Sequence, residues 1–321
     1  MAKAHDHSEL VLSTVESPQA AATSAVAASW CRSALHHGLD PATASRNDRM
    51  DDRAVSRLRE ANGELLAAAT PSLDRLFGSV GGAGCCVIIS DVSGIVLETR
   101  ALDADKAMFD AIGLAPGASW SESDEGTNGI GTCLVEARPV TIFRGDHFAS
   151  RNVGVSCMDA PIFDPEGRLV AALDVSTARS DHGEAMATMI ATLVQDAARS
   201  IERDFFCRRF ADARIVYAGG NQPSAGAALL AVDRDDLVIG ASRAARRQFR
   251  LGTDSHLDPR PLADILGTAD GAAGFNDGER AILRQALARS GGNVAAAARL
   301  LGIGRATMYR RMERAGMGGV N

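Results

Sequence analysis

The residues Gly291–Met317, GGNVAAAARLLGIGRATMYRRMERAGM, decide the fold of one end of this 321-residue chain. A run of small residues is followed by a Gly-Ile-Gly break and then by a short segment that carries four arginines. Asn293 is a favourable N-cap for a helix through VAAAARLL, and a further helix is expected to begin near Gly304 or Arg305. The break is too short for antiparallel packing, so the two helices must cross steeply. With GERAILRQALARS (278–290) as a first helix, the stretch predicts an all-α helix-turn-helix.

The last predicted helix has two chemically different faces. At 3.6 residues per turn, Met308, Met312 and Ala315 share one face and seal the core. A recognition helix reads bases with groove-facing side chains near its N-terminus, whereas flanking side chains contact phosphate. A solvent-exposed charged face is the simpler interpretation, but the tight turn, small residues and segregated charge together favour DNA binding. The candidate DNA contacts are Asn293, Arg305, Ala306, Thr307, Tyr309, Arg310, Arg311 and Arg314.

The charge of the chain is unevenly distributed. The formal net charge is -6, yet residues 276–321 contain eight arginines and three acidic residues, a net charge of +5. The other 275 residues therefore carry -11. A basic segment attached to an acidic body predicts double-stranded DNA as a partner of that segment alone.

The stretch GNVAAAARLLGIGRATMYRRMERAG (292–316) resembles the Fis-type helix-turn-helix that closes many bacterial enhancer-binding activators. One departure is Gly304, where that family usually carries a serine N-cap. Glycine costs only about a few tenths of a kcal/mol at this position, so the resemblance still implies DNA binding.

A second pattern, in the middle of the chain, predicts an antiparallel sheet. CCVIISDVSGIVLETR (85–100) contains two apolar runs around a turn signal, and RPVTIFR (138–144) is a third strand. GVSCMDAPIFDPEGRLVAALDVST (154–177) contains two more strands joined by a Pro-Glu-Gly turn. Between them, SWSESDEGTNGIGTCLVEA (119–137) reads as a loop that leads into a short helix. The fold class expected here is α+β, with the antiparallel sheet flanked by helices.

Four segments in the same order resemble the GAF sensor region of the acetoin catabolism regulators, over about residues 25–210. They are SWCRSALHHGLDP, SWSESDEGTNGIGTCLVEARPV, DHF and SCMDAPIFDPEGRLVAALDVS. The resemblance implies a GAF fold that holds a small-molecule effector on one sheet face, under loops and short helices. It also implies an uncharged effector, such as a carbonyl compound, an alcohol or an aromatic. The candidate effector contacts are Trp120, Glu122, Thr127, Asn128, Thr132, Cys157 and Asp174. A purely structural role is the alternative for each.

Four regions follow from these patterns. Residues 1–50 are expected to form an N-terminal tail and helix, 51–210 the GAF sensor domain, and 276–321 the Fis-type domain. Residues 211–275 are expected to hold a linker and a remnant that resembles the start of a PAS domain. The sensor should end in a long amphipathic helix, whose apolar stripe suits core packing or a partner helix. That stripe consists of Met186, Met189, Ile190, Leu193, Val194, Ala197, Ile201 and Phe205.

The activators that this chain resembles carry a central AAA+ ATPase, and its signature is missing here. The sequence contains no G-x-x-x-x-G-K-[ST] motif, and its two lysines, Lys3 and Lys106, do not lie in glycine-rich loops. The roughly 70 residues between sensor and DNA-binding segment are too few for an ATPase. The expectation is therefore sensing and DNA binding without ATPase activity, with RNA polymerase or a full-length activator as a further partner.

The six cysteines show no C-x-x-C pair and no zinc spacing, so neither a metal nor another cofactor is expected. Cys85 and Cys86 are adjacent in a strand and should point to opposite faces. No signal peptide and no apolar run of about 20 residues is evident, which predicts a cytoplasmic protein with no membrane partner.

Together these observations predict a regulator that is not an enzyme and has no catalytic residues. It should be a homodimer, because one short helix-turn-helix buries little DNA and two half-sites are the usual remedy. Three alternatives stay open: an ATPase-less modulator of sigma-54-type activators, an architectural DNA-binding protein, and a cysteine-based GAF reductase.

Overall fold

The computed structural model describes residues 2–17, 19–43, 49–219, 226–234, 236–252, 257–267 and 275–317. The chain divides into two compact units, Met1–Pro259 and Arg260–Asn321. Part of the predicted linker, residues 268–274, lies outside the described residues.

The first unit begins with a group of helices. They are α1 (Ala2–Val15), α2 (Ala20–Thr23), α3 (Ala25–Cys31), α4 (Asp52–Ala61) and α5 (Gly63–Val80), with a π-helical segment Arg32–His36 after α3. Where the sequence suggests a polar tail, the chain forms α1. The reason is that Val11 is fully buried in a small apolar cluster with Trp30 and Phe148. The His7 Nε2 atom also lies 3.0 Å from the carbonyl oxygen of His147.

A five-stranded antiparallel sheet forms the centre of this unit. Its strands are β1 (Cys85–Asp91), β2 (Val96–Arg100), β3 (Val140–Phe143), β4 (Ser156–Phe163) and β5 (Leu169–Thr177), in the order β2-β1-β5-β4-β3. The two predicted turns are closed by aspartates: Asp91 accepts the backbone N–H groups of Ser93 and Ile95, and Asp164 does the same for Glu166 and Arg168. The predicted α+β class and strand positions are confirmed.

Helices cover both faces of the sheet. One face packs against α5 and against α9 (Glu184–Arg209), and the other lies under α6 (Asp103–Ile112), α7 (Glu122–Glu125) and α8 (Gly129–Glu136). Cys85 belongs to the first apolar cluster and Cys86 to the second, as strand alternation predicts.

The predicted apolar stripe of α9 is wider than the surface that the sheet buries. Ile190, Val194 and Ile201 are buried in the core, but Met186, Met189 and Leu193 are 38%, 65% and 41% exposed. The exposed three follow one another at helical spacing beside the buried row, so they lie on the flank of the helix rather than over the sheet.

A second, smaller sheet follows α9. Strands β6 (Arg214–Tyr217), β7 (Leu229–Val232) and β8 (Leu237–Ala241) pair antiparallel in this order, and α10 (Arg243–Phe249) follows. The strand-turn-strand-helix order of 228–250 is as predicted, whereas β6 has no counterpart in the sequence analysis.

The second unit contains the predicted three-helix arrangement. Its elements are β9 (Arg260–Pro261), α11 (Leu262–Leu266), α12 (Phe275–Arg289), α13 (Val294–Leu300) and α14 (Arg305–Arg314). Its core combines small and flexible apolar side chains: Leu283, Ala286, Ala297, Ala298, Met308, Met312 and Ala315. The alanines let the helix backbones approach one another closely.

The core of this unit is so small that the loss of one side chain should lower its stability measurably. Met308 is fully buried, so Met308→Ala should destabilise the unit by roughly 2–5 kcal/mol through lost packing and a residual cavity. Hydrogen exchange in the full chain should show lower protection of the α14 amides. Arg310→Ala, an exposed position on the same helix, is the control and should leave protection unchanged. Equal protection in all three proteins would show that α14 does not depend on this core.

Candidate functional site

The N-termini of α13 and α14 are capped differently. The Asn293 Oδ1 atom accepts the backbone N–H of Ala296 at 3.0 Å and caps α13. Its amide therefore supports the helix rather than reaching outward. Gly304 caps α14 without any side-chain acceptor, so the first turn of α14 lacks a side-chain cap.

The faces of α14 are those that the sequence predicts. Met308 and Met312 are buried, Thr307 is half-buried, and the remaining candidates on this helix are exposed to solvent. The exposed candidates are Arg305, Ala306, Tyr309, Arg310, Arg311 and Arg314. The helix therefore presents a continuous basic surface opposite its apolar core.

The arginines of α14 differ in how they are held. Arg311 forms an ion pair with Glu279 of α12 at 3.3 Å, and the Arg305 guanidinium lies 5.6 Å from the Tyr309 ring centroid. Arg310 and Arg314 form no hydrogen bond or ion pair with the described part of the chain. These two guanidinium groups are therefore available for a ligand without breaking an existing contact.

The predicted effector contacts fall into three places in the first unit. Trp120 lies in the apolar cluster under α6 with Phe109 and Leu114, and its Nε1–H donates to the Gly113 carbonyl at 2.8 Å. Its indole is buried and its N–H is satisfied within the protein. Trp120 therefore contributes to the core.

A second group joins the loop before α8 to α3. Glu122 accepts hydrogen bonds from Ser29 Oγ at 3.0 Å and from Arg32 Nε at 2.7 Å. The Oγ1 atoms of Thr127 and Thr132 lie 2.7 Å and 3.4 Å from the same Ser29 Oγ. All these buried polar groups have partners inside the protein, so this cluster holds the N-terminal helices on the loop before α8.

Asn128 and two glycines fix the position of α8. The Asn128 Oδ1 atom accepts the Gly131 N–H at 2.9 Å and caps the helix. A Cβ atom added to Gly129 would lie 2.1 Å from Asp159 Oδ2, and one added to Gly131 would lie 2.5 Å from the Glu122 backbone nitrogen. Only glycine allows α8 to lie this close to the sheet and to the preceding loop.

The third group, on β4 and β5 beneath α8, is here called the carboxyl cluster: Cys157, Asp159, Asp174 and Ser176. Strand pairing places Asp159 opposite Asp174 and Cys157 opposite Ser176. Ser176 Oγ donates to Asp174 Oδ2 at 2.7 Å and lies 3.1 Å from Cys157 Sγ. Both carboxyl oxygens of Asp159 and Asp174 Oδ1 have no hydrogen-bond partner among the described residues. Buried polar atoms without partners are rare in folded proteins.

The two carboxyl groups share a strongly perturbed environment. Burial, and next the charge of Asp174, raises the pKa of Asp159 well above its usual value. Burial also raises the pKa of Asp174 to about 7, although the Ser176 hydrogen bond opposes the shift. The pair therefore retains a proton near neutral pH, and the two carboxyl groups share it in a hydrogen bond between them.

Cys157 lies beside an imidazole, yet its thiol is protected. His147 Nε2 lies 3.5 Å from Cys157 Sγ, and His147 Nδ1 lies 3.0 Å from the Arg144 carbonyl oxygen. Burial, followed by the charges of Asp174 and Asp159, raises the pKa of Cys157 well above that of a free thiol. Reactive cysteines need the opposite shift, toward the thiolate, so this environment disfavours thiol chemistry.

The sequence analysis missed Asp159 and Ser176, although a simple signal for both was present. Each lies two residues from a predicted contact on the same strand, Cys157 or Asp174, and so points to the same face. Ser29 and Arg32 gave no such signal, because only the tertiary fold brings α3 to Glu122.

The described residues form neither a metal-binding cluster nor a membrane-spanning helix. No group of three or more His, Cys, Asp or Glu side chains in this part of the chain could hold a metal ion. None of the helices that the structure describes is long and apolar enough to cross a membrane.

Comparison with known proteins identifies both parts of the chain. Residues 2–202 match the family described as "MimR, N-terminal domain", and residues 276–314 match "Bacterial regulatory protein, Fis family". The acetoin catabolism regulatory protein of Cupriavidus necator is 28% identical over 253 residues, which are 74% of this chain and 36% of that protein. The propane 2-monooxygenase operon transcriptional activator MimR of Mycolicibacterium smegmatis is 28% identical over 268 residues, 78% of this chain and 44% of that protein.

The matched residues thus span less than half the length of either relative. Among solved structures, a chain of the E. coli DhaR(N)–DhaL complex shares the fold with a TM-score of 0.52 at 14% identity, covering 75% of this chain and 80% of that chain. The family match extends over more than half of the 321 residues. The chain therefore belongs to the family defined by the MimR N-terminal domain and carries, over residues 276–314, a helix-turn-helix of the Fis family of bacterial regulatory proteins.

Proposed function

We propose that this chain is a ligand-responsive, sequence-specific DNA-binding transcriptional regulator. The observation that carries the proposal is the arrangement of α14, where Arg310 and Arg314 are exposed and unpaired opposite a face sealed by Met308 and Met312. An arginine can bind the O6 and N7 atoms of guanine bidentately, which is worth about 1–3 kcal/mol of discrimination. In this proposal α14 enters the major groove, and the remaining candidates on its flanks contact phosphate.

The proposal assigns the regions as the sequence suggests: a GAF-type sensor over 51–210, a PAS-like remnant and linker over 211–275, and the DNA-binding domain over 276–321. Two copies of the chain would occupy half-sites about 34 Å apart, since one helix-turn-helix contacts few base pairs. This chain would hydrolyse no ATP, because its sequence contains no P-loop. It would therefore act in the cytoplasm by recruiting RNA polymerase or by pairing with a full-length activator.

The carboxyl cluster is the part of the sensor best suited to an effector. The proton that Asp159 and Asp174 share can be donated to a carbonyl acceptor, and the carboxyl oxygens that it leaves can accept a hydrogen bond from a hydroxyl group. A small uncharged alcohol, ketone or hydroxyketone satisfies both demands, and two relatives regulate acetoin catabolism and a propane 2-monooxygenase operon. Binding would require α8 to move, because Gly129 now lies against Asp159. Such a movement could couple to DNA binding if the effector prefers one arrangement of the protein over another.

The DNA-binding proposal can be tested by selecting genomic fragments with the full chain at fixed salt. Enrichment of a defined, palindromic site is expected, and Arg310→Ala should weaken binding to that site by roughly 5- to 150-fold. Salt must be constant because phosphate contacts make the affinity strongly salt-dependent.

The matched control is Arg284→Ala, which removes one exposed arginine from α12 instead of α14. It should leave the preferred site unchanged. Uniform weak binding to all fragments, reduced equally by both substitutions, would favour an architectural DNA-binding protein over a sequence-specific regulator.

The effector proposal predicts stabilisation of the full chain by acetoin or by another short-chain alcohol, ketone or hydroxyketone. A ligand at 100 times its Kd should add about 2.7 kcal/mol to the free energy of unfolding. Thermal unfolding should show this increase for the wild type and for Asp212→Asn, an exposed control. It should vanish in Asp174→Asn. No stabilisation by any of these compounds, or equal stabilisation in both variants, would contradict the assignment of the carboxyl cluster.

The carboxyl cluster also predicts how stability depends on pH. An unfolded aspartate titrates near pH 3.9, whereas the folded pKa of Asp174 is raised to about 7 and that of Asp159 also lies well above its usual value. Between these values the folded state binds more protons than the unfolded state, so stability should fall as pH rises from about 4 to about 7. Asp159→Asn removes one of the two charges and should flatten this fall in the melting temperature. Asp212→Asn should reproduce the wild-type slope, and a steeper slope in Asp159→Asn would refute the assignment.

A further inference from the structure

The first unit contains a cleft whose lining residues are distinct from the carboxyl cluster. It has a volume of about 480 Å³ and lies between the β4–β5 turn and α10. Four of its lining residues are arginines: Arg243, Arg246, Arg247 and Arg250. They come from the segment LVIGASRAARRQFRLG (237–252), which contains no acidic residue. This arginine cleft is a concentrated positive charge on an otherwise acidic part of the chain.

Two of the four arginines are held in place by the protein. Arg246 is only 7% exposed, and its Nε–H donates to the Ala241 carbonyl at 3.0 Å. The Arg243 guanidinium lies 3.5 Å from the centroid of the Phe163 ring, a cation–π contact. Gly167 adopts a φ of +87° in the β4–β5 turn, a conformation that favours glycine, and this turn lies against the Arg246 side chain. The binding groups are therefore partly organised before any ligand arrives.

The nearby carboxylates balance this charge only in part, since Glu202 interacts electrostatically with Arg243 and Arg247. Glu166 already lies 3.4 Å from Arg168 and 3.6 Å from Arg209 in two ion pairs. Glu202 lies on the Phe163 side of Arg243, and burial raises the pKa of its carboxyl to about 7. Arg243, Arg247 and Arg250 form no ion pair with any residue in the described ranges. Burial, and next the charge of Arg247, lowers the pKa of Arg243, which shows that the arginines repel one another.

We propose that the arginine cleft binds a small, multiply charged phosphate compound, such as a polyphosphate or a phosphate ester. Arginine suits this ligand because its planar guanidinium donates two parallel hydrogen bonds to phosphate oxygens. The anion would offset the repulsion between neighbouring guanidinium groups. The cleft volume of about 480 Å³ falls in the range of small-molecule sites.

Size and charge argue for a small anion rather than a nucleic acid. Helix α10 has seven residues and is therefore about 10 Å long, which is short against a DNA duplex. Residues 1–275 carry a net charge of -11, so a long polyanion would meet acidic surface beyond the cleft. A small anion inside the cleft is screened from that surface over a Debye length of about 8 Å.

The position of the cleft gives its occupancy a structural effect. One wall belongs to the turn of the five-stranded sheet and the other to α10, which follows β8. A bound phosphate compound would hold these two parts of the first unit together. The cleft would thus be a second ligand-binding site of the protein, distinct from the carboxyl cluster.

The test is isothermal titration calorimetry, in which the heat of binding is measured as inorganic pyrophosphate is added to the full chain at constant ionic strength. The wild type should bind pyrophosphate saturably, and R247E/R250E should bind at least 10-fold more weakly. Both positions are exposed, so the double variant should fold normally. The matched control is R53E/R57E, which makes the same change of charge at two exposed arginines of α4. This control should bind pyrophosphate as the wild type does.

Three results would overturn the proposal. The first is the absence of saturable pyrophosphate binding to the wild type. The second is an equal loss of binding in both double variants, which would indicate an effect of net charge alone. The third is a selective loss of duplex DNA affinity in R247E/R250E with unchanged pyrophosphate binding, which would assign the cleft to nucleic acid.

Discussion

The close contact of α8 with the five-stranded sheet is the constraint on which the first unit depends. Gly129 lies against Asp159, and the Asn128 cap sets where the helix begins. Asp159 and Asp174, which lie opposite one another on β4 and β5, have carboxyl oxygens without a hydrogen-bond donor among the described residues. The same loop sends Glu122 toward α3, which ties the N-terminal helices to the sheet. The position of α8 therefore affects both the carboxyl cluster and the N-terminal helices that pack beside it.

Local sequence signals predicted the elements well wherever periodicity and turns decide structure. Asp91 and Asp164 accept backbone N–H groups in turns that the local sequence predicts, and Asn293 caps the helix that follows it. Tertiary contacts explain what was missed. Helix α1 is held by the burial of Val11 against distant residues, and the flank of α9 that carries Met189 is exposed although its composition is apolar.

The candidate sites were predictable to different degrees, because some depend on local sequence and others on tertiary contacts. The face of α14 that carries Arg310 follows from helix geometry alone, and the structure reproduces it. The effector candidates depended on a resemblance, and Trp120 and Glu122 turn out to have partners within the protein. The arginines of α10 are visible in the sequence, but only the fold shows that a turn from another sheet lies beside them to form a cleft.

The glycine before α14 has a consequence for how the complex would form. Gly304 offers no side-chain acceptor, so backbone N–H groups of the first turn of the helix have no cap from this residue. A phosphate oxygen of DNA is chemically able to take that role, since helix N-termini favour anions. The DNA would then supply the hydrogen-bond acceptor that the N-terminus of α14 lacks. The first turn of α14 would become more ordered when the helix binds in the groove. The DNA phosphate and the N-terminal N–H groups of α14 would then belong to one hydrogen-bond network that forms only in the complex.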